Sequence, residues 1–585
     1  MTVEVPARRR RRWPWVVAGM VVLAGVALAG LFAYDAWRLR GASQELTAQA
    51  ADAQAAVAAR DVTALRADVE ALSESAATFT AATSGPHWWL ATHVPWVRDQ
   101  AVPLVTAGEA VTSLVSGALE PLASLDGLDA LAAPSMTDGR IDPQVLEPAR
   151  AALASAASAV DGARASLADV PLDGTLEQIR QPFVSLEGAL VSLGDVIDGA
   201  HVAAELLPAM LSADGPRTYV VVVQNNAEPR ATGGLPGAFL ELTVADGRMT
   251  LGRYASAQQL ASADGAPVAD LTEDERRIFT ERMAIYPHDA NFTPEFPRTA
   301  QLISEFWAAK YGAAPDGVLS VDPVALGWML EGAPTVQAGG MEIGSANLAD
   351  VMLNQAYSLS DDPVEQDAFF STAAQALFGQ IVTGQGDTIG GVERAIDAHR
   401  LLIWSARADE QELLASTPVG GDFLAATDTV GVFLNDGSGS KIGYYLDTSV
   451  AVTDRMCTDG TLAEETVAVT LTHTYSGDVA DLPEYVAGGF YVPAGQFQGN
   501  LLLYPSEGLT VTSVTQDGEA VGLVPDSHDG RAMSQLRVTL DPGEATTVTY
   551  SLTASSTGLL PPSLVVTPGP RDATPTRTVV AAEGC

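Results

Sequence analysis

The chain has 585 residues, enough for more than one domain. Its 32 basic residues against 72 acidic ones give a formal net charge of −40, which excludes nucleic-acid binding driven by phosphate neutralisation. With 47% apolar and 18% charged residues it is not globally disordered, and two cysteines and seven histidines leave no basis for a disulfide-dense scaffold, a cysteine-rich zinc site or an iron–sulfur cluster.

Residues 1–12 form a basic tail containing an unbroken arginine run, Arg8 to Arg12. Trp13 and Trp15 follow, and Val16 to Tyr34 is then an uncharged apolar stretch of 19 residues. As a helix it would cover roughly 28 Å, close to a hydrocarbon core of about 30 Å. A single transmembrane anchor over residues 13–34 is therefore expected, with aromatic residues at both interfaces and the N-terminus held in the cytoplasm by its arginines. The bulk of the chain would lie outside the cytoplasmic membrane. Ala27-Leu28-Ala29 has the form of a signal-peptide cleavage site, but apolar residues continue through Ala33 without the polar stretch expected before cleavage.

Residues 43–211 are rich in alanine and favour helix. Leu65, Val69, Leu72, Ala76 and Phe79 alternate four and three apart, the spacing of a coiled-coil seam. Gly85-Pro86, Pro134-Ser135 and Pro171-Leu172 read as turns, so three or four helices should fold back on one another as a slender bundle or stalk. The aromatic patch from His87-Trp88-Trp89 to Pro95-Trp96 lies at such a turn. It is expected to cap the helix ends, with partner or lipid contact as the alternative.

Residues 214–422 change character. Tyr219 to Val223 is a β-branched run suited to a strand buried on both faces, and Phe239 to Val244 alternates before an Asp246-Gly247 turn. Helical patterns follow at Arg298 to Tyr311 and Ala346 to Tyr357, which together predict a layered α/β domain. Over residues 430–556 alternating short strands, such as Gln535 to Leu540 and Thr546 to Leu552 around Asp541-Pro542-Gly543-Glu544, predict an antiparallel β-sandwich. Residues 557–585 form an extended Pro-rich tail. Cys457 and Cys585 would both be exported, where a bridge between them could persist; two free buried thiols is the other reading.

The most informative segment begins where the first strand ends: Asn225, Asn226, Glu228, Arg230, Thr232, then Gly233 and Gly234. Ligand sites favour strand ends of α/β sheets, and glycines there allow close approach. Asn291, within Asn291-Phe292-Thr293-Pro294, caps a following helix or lines the same site. Ser438-Gly439-Ser440-Lys441 fits an S-x-x-K pattern, but Ile442 to Leu446 reads as strand and no K-T-G partner occurs, so a chance match is expected. Asn435-Asp436-Gly437 reads as a β-turn. No cofactor motif is present.

The ordered series Asn225-Asn226-x-Glu228-x-Arg230-x-Thr232-Gly233-Gly234, Asn291 to Pro297, Asp316-Gly317-Val318 with Asp322-Pro323, and Leu434 to Gly437 resembles a bacterial membrane-protein family catalogued as domain of unknown function 4012. More distantly, the order of strand, Arg230, strand and Arg253 resembles the LytR–CpsA–Psr transferases. That second resemblance implies an anchored extracytoplasmic α/β domain binding a polyprenyl-phosphate or glycan ligand. Arg230 and Arg253 would converge on the ligand's charge, and any catalysis would be glycopolymer transfer, with Glu228 the nearest general base. Where that family has aspartates near its arginines, this chain has Thr232-Gly233 and Tyr254-Ala255, which argues against a divalent-metal site carried over unchanged. The alternative is a non-catalytic envelope scaffold or sensor; no motif identifies a protein partner.

Overall fold

The computed structural model of the protein describes residues 13–58, 62–95, 97–123, 139–172, 174–213, 215–360, 362–458, 460–555 and 559–582. The chain is a mixed α/β protein in two compact units, one of residues 1–133 and 145–205, the other of 134–144 and 206–585.

The first unit is helical. Its helices include Trp13–Ala58, Val62–Thr83, Pro86–His93 and Arg150–Ala168. Val69, Leu72, Ala76 and Phe79 are buried along the helix Val62–Thr83, on the seam their spacing predicts. Alanine is the commonest residue of this core, and Trp88, Phe79, Phe183, Leu114 and Leu167 are among its larger members. Gly85 turns the chain at φ 124, a conformation glycine adopts without a side-chain penalty, and Pro86 starts the next helix. Pro134-Ser135 and Trp96 lie outside the described residues. The expected anchor falls within the helix Trp13–Ala58, and most of its side chains are likewise outside the described residues. Among the described residues one helix, Arg98–Ala123, is long and apolar enough to cross a membrane. It is not the expected anchor, and Ala101, Ala107, Ala110 and Leu114 on it are buried in the helical core.

Among the described residues the second unit holds four sheets. The first is built from β1 (Arg217–Arg230), β2 (Gly233–Ala245), β3 (Arg248–Ser256), β4 (Gly317–Val321) and β7 (Leu401–Ser405), in the order β3-β2-β1-β4-β7. Only β1 and β4 run parallel. β5 (Val336–Ala338) and β6 (Met341–Ile343) make a separate hairpin. Alternation along β1 sends Val220 and Val222 into a core with Phe239, Phe306 and Trp307, and turns Val221 and Val223 to the opposite face. The helix over Ala346 to Tyr357 is shorter than its sequence pattern suggests: Leu348–Leu353 is followed by a single 3₁₀ turn, Gln355–Ser358, because Asn354 leaves helical geometry.

The remaining strands form two larger sheets. β8 (Thr429–Asp436), β11 (Phe497–Tyr504), β14 (Pro525–His528), β15 (Arg531–Leu540) and β17 (Ser563–Val566) pair in the order β14-β15-β11-β8-β17. β9 (Leu446–Met456), β10 (Leu462–His473), β12 (Leu509–Gln516), β13 (Glu519–Ala520), β16 (Ala545–Ala554) and β18 (Thr576–Ala581) pair in the order β13-β12-β16-β10-β9-β18. The two sheets share a core that joins Val430, Val432, Leu501 and Val538 to Val452, Val467, Val469 and Val548. On its other face the β8 sheet gives Phe433, Leu502, Tyr504 and Met533 to the core around β1. β8 is therefore buried at every residue, and residues 206–585 form one body.

The C-terminal segment is extended and belongs to both sheets: β17 runs parallel to β8, and β18 runs parallel to β9 with Ala581 opposite Met456. Cys457 is not free, and Cys585 lies outside the described residues. Next to Cys457, the Ala582 N–H donates to the Met456 carbonyl at 2.8 Å. If these cysteines are bridged, Cys457→Ser should cost about 2–5 kcal/mol. Chemical denaturation under non-reducing conditions measures this, and reduced wild type should then match the variant.

Candidate functional site

The site is built on an irregularity at the end of β1. Gln224 and Asn225 pair with Pro236 and Leu235, and the ladder resumes only at Pro229 and Arg230, opposite Gly234 and Gly233. Asn226, Ala227 and Glu228 are left without ladder partners, a bulge of the kind that re-aims side chains. It sends Glu228 and Arg230 into a cavity and turns Asn226 away from it.

Both re-aimed side chains are buried and paired. The Glu228 carboxylate accepts from Lys441 Nζ at 2.5 Å and from Arg230 at 3.1 Å. Arg230 also lies 3.4 Å from Asp289, which takes a second cation, Arg282, at 2.9 Å. The Phe292 ring stands 4.7 Å from the Arg230 guanidinium, whose Nε has no hydrogen-bond partner among the described residues. Asp436, at the end of β8, completes the cluster and accepts from Ser438 and from the Gly439 N–H.

The cavity has a volume of about 850 Å³. At one end stand Glu228, Arg230, Lys441 and Asp436. Most of the remaining wall is apolar, with Val221 and Val223 of β1, Leu240 of β2, Leu251 of β3, and Leu377 and Phe378 of the helix Pro363–Val382, and it is interrupted by Gln258, Gln366 and Asp367. Tyr254 and Tyr357 place phenols along it, and Tyr357 accepts a hydrogen bond from Asn225 Nδ2 at 2.5 Å. Burial pushes Tyr357 up to about 12, so it stays neutral.

Residues 214–357 match the model of a family described as a protein of unknown function, DUF4012. Over this stretch the chain is similar to the DUF4012 family. No curated protein and no solved structure matches the chain. The DUF4012 segment supplies the bulge, most of the apolar wall and Asp289, whereas Asp436 and Lys441 come from beyond it.

Of the site residues expected from sequence, Asn225, Glu228 and Arg230 line the cavity in the DUF4012 segment. The others do not. Asn226 donates to Asp322 at 3.0 Å and to the Pro568 carbonyl at 3.2 Å, so it pins the C-terminal segment. Arg400 holds the same segment through Asp322 and the carbonyls of Gly569 and Arg571. Thr232 and Asn291 bond to each other at 3.1 Å, and Asn291 also donates to the Gly234 carbonyl at 2.8 Å. Asn291 thus ties down the glycine turn instead of capping the helix Phe296–Tyr311, whose N-cap is Glu295.

Arg253 does not converge with Arg230. β3 carries a bulge between Leu251 and Tyr254, which fits Gly252 and Arg253 opposite the single residue Glu241. Leu251 and Tyr254 therefore both face the cavity, while Arg253 is mostly exposed and donates to Glu241 at 2.9 Å. Arg230, by contrast, is almost wholly buried.

Two further corrections concern residues discounted in the sequence. The segment after Ser440 is not a strand but a 3₁₀ turn, Lys441–Tyr445, capped by the Ser440 hydroxyl. That turn buries Lys441, one of only two lysines in the chain, against Glu228. Asp436 is likewise a cavity residue rather than part of a simple surface turn. The lysine's rarity and the Asn435-Asp436-Gly437 motif were the available signals.

The electrostatics assign different states to the acids. Burial pushes Glu228 up, but Lys441 and Arg230 outweigh it and its carboxyl is held low, which makes it a poor general base. Asp436 is pushed up to about 7 by burial and then by Glu228, against a smaller opposing effect of Arg230. A magnesium ion does not fit here, because Glu228 and Asp289 are already neutralised by two cations each. Among the described residues no group of three His, Cys, Asp or Glu side chains could hold a metal.

Asp436 has a pH consequence. A carboxyl raised on folding stabilises the fold below its unfolded value, and that contribution is lost as pH rises through its folded value. Asp436 should therefore make stability fall as pH rises from about 4 to about 7. Glu465, pushed up to about 8 chiefly by burial, acts in the same direction. Glu228, held low, contributes only to losses at more acidic pH. Melting temperatures measured across this range should decline with pH, and Asp436→Asn should flatten the decline.

Proposed function

We propose that the protein is a membrane-anchored, extracytoplasmic component of cell-envelope biogenesis that binds a polyprenyl-linked or glycan ligand at the strand ends of its α/β part. The observation that carries this reading is the cavity beside β1, apolar along most of its length and closed at one end by a buried cluster of charges. Its volume of about 850 Å³ falls within the usual range for small-ligand sites. A long hydrocarbon chain suits the wall of Leu240, Leu251, Leu377 and Phe378, and a polar head suits Lys441 and Arg230. In this reading residues 13–34 anchor the chain with its N-terminus in the cytoplasm. The β1 sheet is LytR–CpsA–Psr-like, and the two C-terminal sheets are a β-sandwich. The reading is one of binding. A glycopolymer transferase would need a base poised near neutrality, and Asp436 meets that condition better than Glu228.

A second reading, a non-catalytic scaffold or sensor, is favoured by the outward-facing Arg253 and by the pairing of Glu228 and Asp289 with cations. Lipid extraction separates the two. Organic extracts of full-length protein purified in mild detergent should contain an isoprenoid lipid. Ala374→Trp, which fills the apolar end and leaves the charged cluster intact, should lose it. Equal lipid from both proteins would exclude the cavity as the site, and none from either would leave the scaffold.

A further inference from the structure

The helical unit carries an aromatic collar that the ligand cavity does not use. The helix Pro86–His93 is fastened to the helix Trp13–Ala58 at one point. His87 Nε2 lies 2.6 Å from Asp35 Oδ2, and Trp88 Nε1 donates to the same oxygen at 3.2 Å. The Phe32 ring packs edge-on against both, with centroids 5.2 and 5.3 Å away. Asp35 is the first charged residue after the apolar stretch ending at Tyr34. The short helix is therefore held at the level where that stretch stops.

Around this junction the large side chains face outward. Tyr34 is 58% exposed, Trp37 72% and Trp89 65%, and Leu31 and Leu90 are nearly half exposed. Trp88, by contrast, is buried, so of the patch expected to cap helix ends Trp88 turns inward and Trp89 outward. Two cations stand beside these rings: Arg38 lies 5.9 Å from the Tyr34 ring and Arg40 is exposed two residues on. Asp35, at the junction, is buried and occupied by His87 and Trp88. Exposed tryptophan and tyrosine with neighbouring arginines are the composition of a membrane–water interface, where an apolar ring sits among acyl chains and its polar edge and the cations meet headgroup phosphates.

We propose that this collar, made by Leu31, Tyr34 and Trp37 of one helix and Trp89 and Leu90 of the other, is a docking surface for phospholipid headgroups that seats the helix Pro86–His93 in the outer leaflet. The proposal rests on Val16–Tyr34 being the anchor, because continuity with that stretch is what places the collar at the bilayer surface. Its role is to fix the depth of the unit: the Asp35–His87–Trp88 contacts tie the interfacial helix to the anchor, so neither can slide without breaking them.

The test uses full-length protein reconstituted in vesicles of phosphatidylcholine and phosphatidylglycerol, with and without brominated acyl chains. The emission that disappears in Trp89→Phe reports on Trp89 alone, and the substitution falls on an exposed side chain. That emission is expected to be blue-shifted and quenched by the brominated lipid, and the same holds for Trp37→Phe. Water-like, unquenched emission from both positions would overturn the proposal. Retention of the protein on the vesicles through an alkaline wash separately decides the anchor, so loss of the anchor and loss of the collar are distinguishable.

Discussion

Lys441→Met should lower the stability of the C-terminal unit by about 3–5 kcal/mol, because it strips the nearest cation from a buried carboxylate. Glu228 is left with Arg230 alone, and Arg230 already serves Asp289. The neutral double variant Glu228→Gln with Lys441→Met should recover most of the loss, since exchanging a buried ion pair for uncharged groups of similar volume is often close to neutral. Urea denaturation of the two variants beside wild type measures both effects. If the double variant proved as unstable as the single one, the lysine would act through packing and not through charge.

Gly234→Ala should be at least as damaging. A Cβ at this position would stand 2.2 Å from the Asn225 carbonyl carbon and 2.4 Å from the Asn226 nitrogen. Both are backbone atoms, held by the bulge that aims Glu228 and Arg230, so neither can move aside cheaply. A loss of about 4 kcal/mol or more is expected, or failure to accumulate as folded protein. Gly237→Ala is the control. It lies on the same strand, and the nearest atom to its Cβ would be 3.9 Å away, so thermal unfolding should shift little.

Local chemistry was legible in the sequence where it was sufficient. The β-branched run Tyr219 to Val223 lies inside β1, Asp246-Gly247 makes the β2–β3 turn with positive φ at both residues, and Pro297 stands at the start of the helix Phe296–Tyr311. The residues at the end of β1 drew attention because amides, charges and glycines crowd there, and three of them do line the cavity. What sequence spacing could not show was pairing over distance. Lys441 meets Glu228 across 213 residues, because β8 delivers the following turn to the β1 bulge. Arg253 misled for a related reason. Its place in the order of strands suggested convergence with Arg230, but one extra residue opposite Glu241 turned it outward, and nothing in the pattern of β3 announces a bulge. Asn226, Thr232 and Asn291 are polar and sit at the motif, yet their work is to fasten the C-terminal segment and the glycine turn.

The cavity beside β1 is proposed as a ligand site. The most direct test is an experimental density map of the full-length protein extracted in mild detergent from its native membrane. Elongated density is expected that starts among Leu251, Leu377 and Phe378 and ends within hydrogen-bonding distance of Lys441 or Arg230. A cavity holding only water, or closed by inward movement of the helix Pro363–Val382, would contradict it.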